Sequence, residues 1–288
     1  MKLIKPNFEI ITQNPNNDGM LKHVELCGRV CYKSEDKIKD NTAAIFVNGL
    51  IKSGHTSVLE HGTIYLYIKD KAYNVIPLYE KYKENKYSKT SLPFANEHNA
   101  ECYITTNYRV LVENKWLDDL QYQCEPTEFH EKRVTVKFIC DRGISHEFVR
   151  HRVFSFSQES TRYCNYSKDK FTNEITFIEP FWIKDIPVKY YTRSPESLMP
   201  SERCDSAANF LFQLELIEEM YFELIEEGWK PEQARNILPN SLKTELMMTG
   251  FVSDWKHFFE LRCSKAAHPQ AQELAIPLEE EFKKLNLI

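Results

Sequence analysis

Residues 134–163 read VTVKFICDRGISHEFVRHRVFSFSQESTRY. The first seven of them, Val134 to Cys140, alternate between apolar and polar side chains, and such alternation predicts a β-strand. The sequence Asp141-Arg142-Gly143 then predicts a turn into a helix, which we expect to hold residues 148–152. A strand and a helix therefore lead directly into a cationic motif.

The cationic motif consists of Arg150, His151 and Arg152, followed after seven residues by Ser160 and then by Arg162. The side chains around it are too apolar for an ordinary solvated helix face: Phe148, Val149, Val153, Phe154 and Phe156. A buried guanidinium needs an anion, and the nearby carboxylates (Glu147 and Glu159) are fewer than the cations. The motif thus indicates a cleft for a ligand phosphate. The simplest alternative is a surface helix end with ordinary salt bridges.

The composition is that of a globular protein. With 288 residues, 42% hydrophobic and 13% aromatic, the chain is long and apolar enough for a proper core. The net charge of −5 gives no reason to expect a nucleic-acid polymer as partner. The eight cysteines show no C-x-x-C pair or zinc-ligand spacing, so we expect reduced thiols in a cytoplasmic protein. We find no signal-peptide-like run, no membrane-spanning segment and no linker, which favours one domain over residues 1–288.

Other segments predict further strands and helices. Strands are expected at 8–11 and 63–69, and helices at 20–31, at 41–52 before Gly54, and at 72–87. Residues 103–112 fit either a strand or a short helix. The C-terminal third reads as helical: a core stripe at 210–225, a helix from Pro231 that contains Arg235, and a helix capped by Ser253 through 257–262.

The R-H-R-x7-S pattern from Arg150 to Ser160 resembles the signature of the flavin-dependent thymidylate synthases. Further stretches resemble this family in order and spacing: Gly54-His55 with Leu59-Glu60-His61, Ser160-x-Arg162-Tyr163, Ala234-Arg235 with Leu238-Pro239, and Leu261-Arg262. The resemblance implies an α/β (α+β) single domain with a mainly antiparallel central sheet flanked by helices. It also implies reductive methylation of dUMP to dTMP, with 5,10-methylenetetrahydrofolate as carbon donor and NADPH reducing a bound FAD. Members of this family form homotetramers whose active sites lie between subunits.

The resemblance also implies roles for individual residues. Those expected to bind FAD are Ser57, Glu60, Arg150, His151, Arg152, Gln158, Phe251, Val252, Ser253 and His257. Those expected to bind dUMP are Glu147, Arg150, Gln158, Glu159, Ser160, Thr161, Arg162, Arg235 and Arg262. The three residues expected at the reaction itself are Arg262, which would face the uracil ring and stabilise developing negative charge, His55, near the flavin and folate, and Ser160. Ser160 is expected to position the nucleotide, because a serine nucleophile needs a general base and none is evident.

The chain departs from the family pattern at several places. Gln158 stands where many relatives carry glutamate, Cys31 where serine is frequent, and His257 where an asparagine near the flavin is expected. An insertion at about 71–130 is expected to cover a cleft, to extend an oligomer interface, or to have no catalytic role. His61 fits a core histidine as well as a ligand.

Two other classes of function remain open from the sequence. One is a flavoenzyme or nucleotide-binding enzyme that has lost thymidylate chemistry. The other is a nucleic-acid-binding module in which Phe154, Phe156 and Tyr163 stack on bases.

Overall fold

The computed structural model describes residues 1–96, 98–168, 173–183 and 206–288. The helices, in chain order, are α1 (Asn17–Val30), α2 (Ala43–Ser53), α3 (Ala72–Lys83), α4 (Tyr108–Asn114), α5 (Arg142–Phe148), α6 (Ser206–Glu226), α7 (Pro231–Ala234), α8 (Val252–Arg262) and α9 (Pro269–Lys284). The strands are β1 (Lys2–Ile4), β2 (Asn7–Ile11), β3 (Thr63–Lys71), β4 (Lys89–Ala95), β5 (Asn99–Asn107), β6 (Arg133–Asp141), β7 (Ser155–Gln158), β8 (Thr176–Ile178) and β9 (Lys243–Phe251). Short 3-10 helices lie at Glu35–Lys37, Thr56–His61, Leu117–Tyr122, Phe181–Ile183 and Arg235–Ile237.

The strands form two antiparallel sheets and one short parallel pair. The larger sheet has the order β2-β6-β9-β7, the second has the order β3-β5-β4, and β1 pairs with β8 in parallel. The expected mixture of helices with mainly antiparallel strands is confirmed, but the strands are divided between sheets and do not form one central sheet.

The register of β6 against β9 determines which residues meet at the end of the larger sheet. It runs from Arg133 opposite Phe251 to Asp141 opposite Lys243. The short strand β7, which holds the middle of the cationic signature, lies on the other side of β9 and pairs Ser155 with Thr249. The beginning of β6 and the end of β9 therefore lie together, close to the signature.

Aromatic side chains fill the core beneath the larger sheet. Trp255 of α8 is fully buried among Phe138, Phe258 and Phe282, and its indole nitrogen donates to the carbonyl of Val134 at 3.1 Å. Truncating a buried tryptophan to alanine typically costs about 3–5 kcal/mol. This packing fixes α8, which begins directly after β9 and ends at Arg262.

Most sequence-based expectations for the first half of the chain are confirmed. The strand at 8–11 and the helix at 20–31 are present as β2 and α1, and β3 and β6 cover the other two expected strands. Gly54 ends α2 with a left-handed φ of 74°, which glycine adopts without strain. Residues 103–112 divide between the end of β5 and α4.

Two expected helices end earlier in the structure. The helix expected over 72–87 ends at Lys83, so Lys86 and Tyr87 lie in the loop before β4. The sequence predicts that the helix after Asp141-Arg142-Gly143 extends to Arg152. This is also wrong, because α5 ends at Phe148. The amides of Arg150 and His151 donate three residues back instead of four, and such tight turns close a helix.

The expectation of a wholly helical C-terminal third is wrong, because β9 is a strand of the larger sheet. Nearly every residue of β9 is buried, so no polar alternation marks it, and its Leu246-Met247-Met248 centre consists of helix-favouring residues. The expected helices at 210–225 and from Pro231 are present as α6 and α7, although Arg235 begins the 3-10 turn that follows α7.

Ser253 does not cap α8, because it is the second residue of the helix. The carboxylate of Asp254 accepts the hydrogen bond from the Phe251 amide at 3.2 Å and closes the first turn. The amide of Ser253 donates to Glu131 at 3.2 Å. In the part of the chain described, no helix has the length and apolar character needed to cross a membrane.

Candidate functional site

A cleft of about 690 Å³ opens between the 3-10 helix Thr56–His61, the loop before β4, and the adjoining ends of β6 and β9. Four of the residues expected to bind FAD line it: Ser57, Glu60, Arg152 and Phe251. The other lining residues are Lys86, Tyr87, Lys89, Asn107, Arg133, Val153, Phe154, Ser155, Phe156, Gly250 and Asp254. Part of the cationic signature therefore borders a cavity of ligand size, as small-molecule sites commonly measure about 300–1,000 Å³.

Arg133, the first residue of β6, lies in the wall of this cleft with only neutral hydrogen-bond acceptors. Its Nη1 atom donates to the carbonyl of Glu60 at 3.0 Å and to Thr63 Oγ1 at 3.2 Å, and its Nη2 atom reaches Ser155 Oγ at 3.4 Å. Its Nε atom is buried without a hydrogen-bond partner. Burial lowers the pKa of Arg133 to about 10, which still leaves the guanidinium charged at neutral pH. Within the described residues it forms no close ion pair, and the carboxylates of Glu60 and Asp254 attract it only from a longer distance.

Two cations lie over the ring of Phe251 in the same cleft. Lys89 Nζ and Arg133 Cζ are each 5.5 Å from the ring centroid, a distance at which a cation is attracted to an aromatic face. The nearby carboxylate of Glu60 is already bound by Arg109 at 2.6 Å. Asp254 accepts from the Phe251 amide, and burial raises the pKa of its carboxyl.

A second group of predicted residues meets at the C-terminal end of α8. Arg262 donates from Nη1 to Glu147 Oε2 at 2.6 Å, from Nη2 to the Glu147 carbonyl at 2.6 Å, and from Nε to His151 Nε2 at 2.9 Å. These contacts join positions more than a hundred residues apart in sequence. The His151 ring lies 6.4 Å from that of His257, which is exposed.

The contacts of His151 define its protonation state. Because Arg262 Nε donates to its Nε2 atom, that nitrogen must be an acceptor and the proton must be on Nδ1. Burial, together with the positive charge of Arg262, lowers the pKa of His151 to about 4. His151 is therefore a neutral imidazole at physiological pH that orients a cation.

The sequence matches the model of the Thymidylate synthase complementing protein (Thy1) family over residues 10–125 and 78–286. The chain belongs to this family. It is 25% identical over 268 residues to the flavin-dependent thymidylate synthase of Mycolicibacterium gilvum, covering 90% of this chain and 74% of the relative. It is 30% identical over 148 residues to that of Pyrococcus furiosus, covering 50% of this chain and 52% of the relative. A solved UMP/dUMP methylase, PolB from Streptomyces cacaoi bound with 5-Br dUMP, is similar with a TM-score of 0.43 at 17% identity, covering 99% of this chain and 93% of that one.

The middle of the R-H-R-x7-S segment is directed into the protein. Gln158 Nε2 donates to Ser145 Oγ at 2.8 Å and to Thr244 Oγ1 at 3.2 Å. Glu159 is buried and accepts from Lys243 Nζ at 2.9 Å. These two side chains thus fix the signature strand to its neighbours in this Thy1-family chain.

The end of the signature lies beside α7. Ser160 Oγ accepts from the amide of Arg162 at 3.3 Å, and Arg162 Nε donates to Glu232 Oε2 at 3.2 Å. The guanidinium of Arg162 also lies 5.2 Å from the ring of Tyr163. Glu232 belongs to α7 and Arg235 follows it, so the signature is brought close to a third predicted position.

Several predicted residues are exposed: His55, Arg150, Arg235 and Ser253. Arg150 lies close enough to His151 and Arg262 to act on both electrostatically. Thr161 is buried, and Val252 packs partly against the core beneath the larger sheet.

Sequence reasoning missed Arg133, Lys86 and Lys89. A single arginine before a strand and two lysines in a lysine-rich segment carry no motif. Only the register that places Arg133 opposite Phe251, with Lys89 over the same ring, shows their relation.

His61 is a fully buried residue that links the 3-10 helix Thr56–His61 to strands β7 and β9. Its Nδ1 atom lies 2.7 Å from Thr249 Oγ1 and its Nε2 atom 3.0 Å from Ser157 Oγ. Thr249 Oγ1 is in turn 2.7 Å from Thr135 Oγ1, which lies 2.9 Å from the buried His23 Nε2. Burial lowers the pKa of His61 to about 3 and that of His23 to about 4, so both are neutral.

Proposed function

We propose that this Thy1-family chain is an FAD-dependent thymidylate synthase that converts dUMP to dTMP. Its carbon donor would be 5,10-methylenetetrahydrofolate and its reductant NADPH. The observation that carries the proposal is the direct contact of Arg262 with His151 of the R-H-R motif and with the neighbouring Glu147, which joins two separate stretches that resemble the family.

The donors in the cleft fit FAD. The cofactor contains a diphosphate, and Lys86, Lys89, Arg133 and Arg152 line the cavity with positive charge. Arg133 is part of this wall, and its Nε atom is buried without a hydrogen-bond partner. When bound, the flavin would supply the hydride for the reduction.

The group around Arg262 supplies a fixed cation for the nucleotide. We assign Arg262 to the uracil ring, where a positive charge stabilises the negative charge that develops on the ring nitrogen and carbonyl oxygens. Glu147 holds two of its nitrogens and His151 a third, so the guanidinium is oriented before the substrate arrives. Burial lowers the pKa of Arg262, and the carboxylate of Glu147 opposes this effect.

The dUMP phosphate and sugar are assigned to the end of the signature and α7. Ser160, Arg162 and Arg235 are the residues proposed to hold them. Ser160 has a positioning role, because in the described part of the chain no histidine or carboxylate hydrogen-bonds to its hydroxyl oxygen. His55 is proposed near the flavin and folate.

We propose a homotetramer with active sites between subunits. The exposure of Arg150 and Arg235 supports this arrangement, because guanidinium groups that face solvent in one chain are free to contact a ligand held by another. A cytoplasmic protein of one domain, without a membrane or nucleic-acid polymer as partner, remains part of the proposal.

The test is an absorption spectrum of the purified protein, recorded anaerobically before and after addition of NADPH and dUMP. We expect the visible bands of an oxidised flavin, loss of those bands with NADPH, and faster loss with dUMP. Addition of methylenetetrahydrofolate should then give dTMP, detected by chromatography and mass spectrometry. A protein that takes up no FAD would refute the proposal. Flavin uptake without dTMP would instead favour a flavoenzyme with another substrate.

A further inference from the structure

The segment at 71–130 contributes directly to the wall of the cleft. Lys86 and Tyr87 lie in the loop between α3 and β4, Lys89 begins β4, and Asn107 ends β5. Arg109, two residues further on, binds the carboxylate of Glu60 at 2.6 Å. The segment therefore does more than extend the surface away from the site.

Positive charge in the cleft exceeds the negative charge available to neutralise it. The cations that line it are Lys86, Lys89, Arg133 and Arg152. Of the two lining carboxylates, Glu60 is paired with Arg109 and Asp254 caps the start of α8, and both also attract Arg133 from beyond ion-pair distance. Lys89 has one carboxylate neighbour outside the cleft lining, Glu131, at the long distance of 3.8 Å. The excess charge is available for an anion.

The two kinds of cation offer complementary contacts. The Arg133 guanidinium is held by hydrogen bonds to the Glu60 carbonyl, Thr63 and Ser155, and its Nε atom is buried without a hydrogen-bond partner. Lys86 and Lys89 are exposed residues that also line the cleft, with their ammonium groups over the rings of Tyr87 and Phe251. A fixed guanidinium with nearby ammonium groups suits an anion that has several oxygens and more than one charge.

We propose that Lys86, Lys89 and Arg133 form a subsite for the diphosphate of a dinucleotide. The inference rests on the proposed function, in which both FAD and NADPH contain this group. It assigns the segment at 71–130 a direct role in ligand binding, through two lysines that belong to no family motif.

The test is a double variant, Lys86→Ala with Lys89→Ala, compared with the unaltered protein. FAD and the phosphate-free riboflavin are titrated into flavin-free protein, and NADPH into FAD-loaded protein, with affinity followed by fluorescence. Removal of each exposed ammonium group should weaken diphosphate binding about three- to tenfold, so the double variant should bind one dinucleotide at least about tenfold more weakly. Riboflavin affinity should stay within about twofold. Both lysines are exposed, so the variant should fold normally.

A matched control is Lys83→Ala, which removes a lysine at the end of α3 that contacts the ring of Tyr79 and does not line the cleft. It should leave all three affinities unchanged. Selective weakening of FAD or of NADPH identifies which diphosphate uses the subsite. If both dinucleotides bind as before, or if riboflavin weakens in parallel, the subsite is refuted.

Inorganic pyrophosphate separates failure of the subsite from failure of the proposed function. Calorimetry should detect pyrophosphate binding to the unaltered protein and no such binding to the double variant, at equal ionic strength. If no flavin binds but pyrophosphate does, and the double variant abolishes that binding, the subsite stands and the flavoenzyme proposal fails. If neither binds, both fail.

Discussion

Replacement of Arg262 by lysine tests whether the orientation of this cation, and not its charge alone, serves the nucleotide. Lysine retains the positive charge but presents one ammonium group where arginine presents a planar fork. The guanidinium contacts three acceptors, Glu147 Oε2, the Glu147 carbonyl and His151 Nε2. A single ammonium group cannot occupy the positions of all three nitrogens at once.

The magnitude follows from these contacts. A hydrogen bond to a charged group contributes about 1.5–3 kcal/mol and a neutral one about 0.5–1.5 kcal/mol. The side chains of Arg262 and Glu147 are 14% and 29% exposed, so solvent screening reduces the first figure. We expect Arg262→Lys to lower the free energy of unfolding by about 1–2 kcal/mol. If the displaced cation also loses about 1.4 kcal/mol of interaction with the nucleotide itself, dUMP binding weakens about tenfold.

The assay combines urea unfolding with dUMP titration of the FAD-loaded protein. Glu147→Gln and the double variant complete a mutant cycle, in which we expect a coupling energy of about 1 kcal/mol between residues 147 and 262. FAD affinity should remain within about twofold, because Arg262 does not line the cleft that holds the diphosphate cations. Arg262→Ala should lose nucleotide use more completely and also retain FAD.

Additive stability effects at 147 and 262, together with unchanged dUMP affinity in Arg262→Lys, would refute this reasoning. Such a result would mean that the contacts with Glu147 do not orient the cation. Loss of FAD binding in Arg262→Lys would instead show that the cleft residues and the group around Arg262 form a single site.

Two further predictions concern buried contacts. The low pKa of His61, about 3 against an ordinary 6.5, means that only the unfolded chain takes up its proton between these values, so the stability it contributes is present above pH 6.5 and is lost as pH falls toward 3. His61→Gln should therefore reduce the slope of unfolding free energy against pH by up to about 1.4 kcal/mol per unit in acid urea titrations. Equal slopes in the variant and the unaltered protein would contradict this. Gly250→Ala places a Cβ atom 2.4 Å from Phe154 and should lower the free energy of unfolding by about 1–3 kcal/mol, measured in urea. The control Gly49→Ala in α2 meets no atom within 4 Å and should be neutral or stabilising. Equal urea midpoints for the two variants would contradict the packing argument.

The elements that were predictable from sequence are those whose pattern reflects one buried face. The alternation in β6 and the glycine after α2 arise from local chemistry, so they are visible before any tertiary structure exists. Strand β9 lacks such a signal because it is covered on both faces, and its leucine and methionines favour helix in isolation. Its strand conformation results from pairing with β6 and β7.

The same distinction applies to the candidate site, where some residues could be predicted from sequence and others could not. His151 and Arg262 belong to motifs, and the structure brings them into contact with each other and with Glu147. Arg133 belongs to no motif, and its interest lies in the absence of a hydrogen-bond acceptor for its Nε atom. A lone arginine acquires significance when its Nε atom is buried without an acceptor, and this condition is set by the packing of distant segments.

His61 explains how the motif segments are held in a fixed relation. It belongs to the 3-10 helix that also holds Ser57 and Glu60 of the cleft, and its two ring nitrogens contact Thr249 on β9 and Ser157 on β7. A neutral imidazole can donate from one nitrogen and accept at the other, so it satisfies both hydroxyl groups without burying a charge. A purely apolar side chain would lose both of these contacts, and a charged one would introduce an uncompensated cation. The histidine next to the cleft thus acts on the ligand through position: it ties the wall that holds Glu60 to the strands that hold the signature and Phe251.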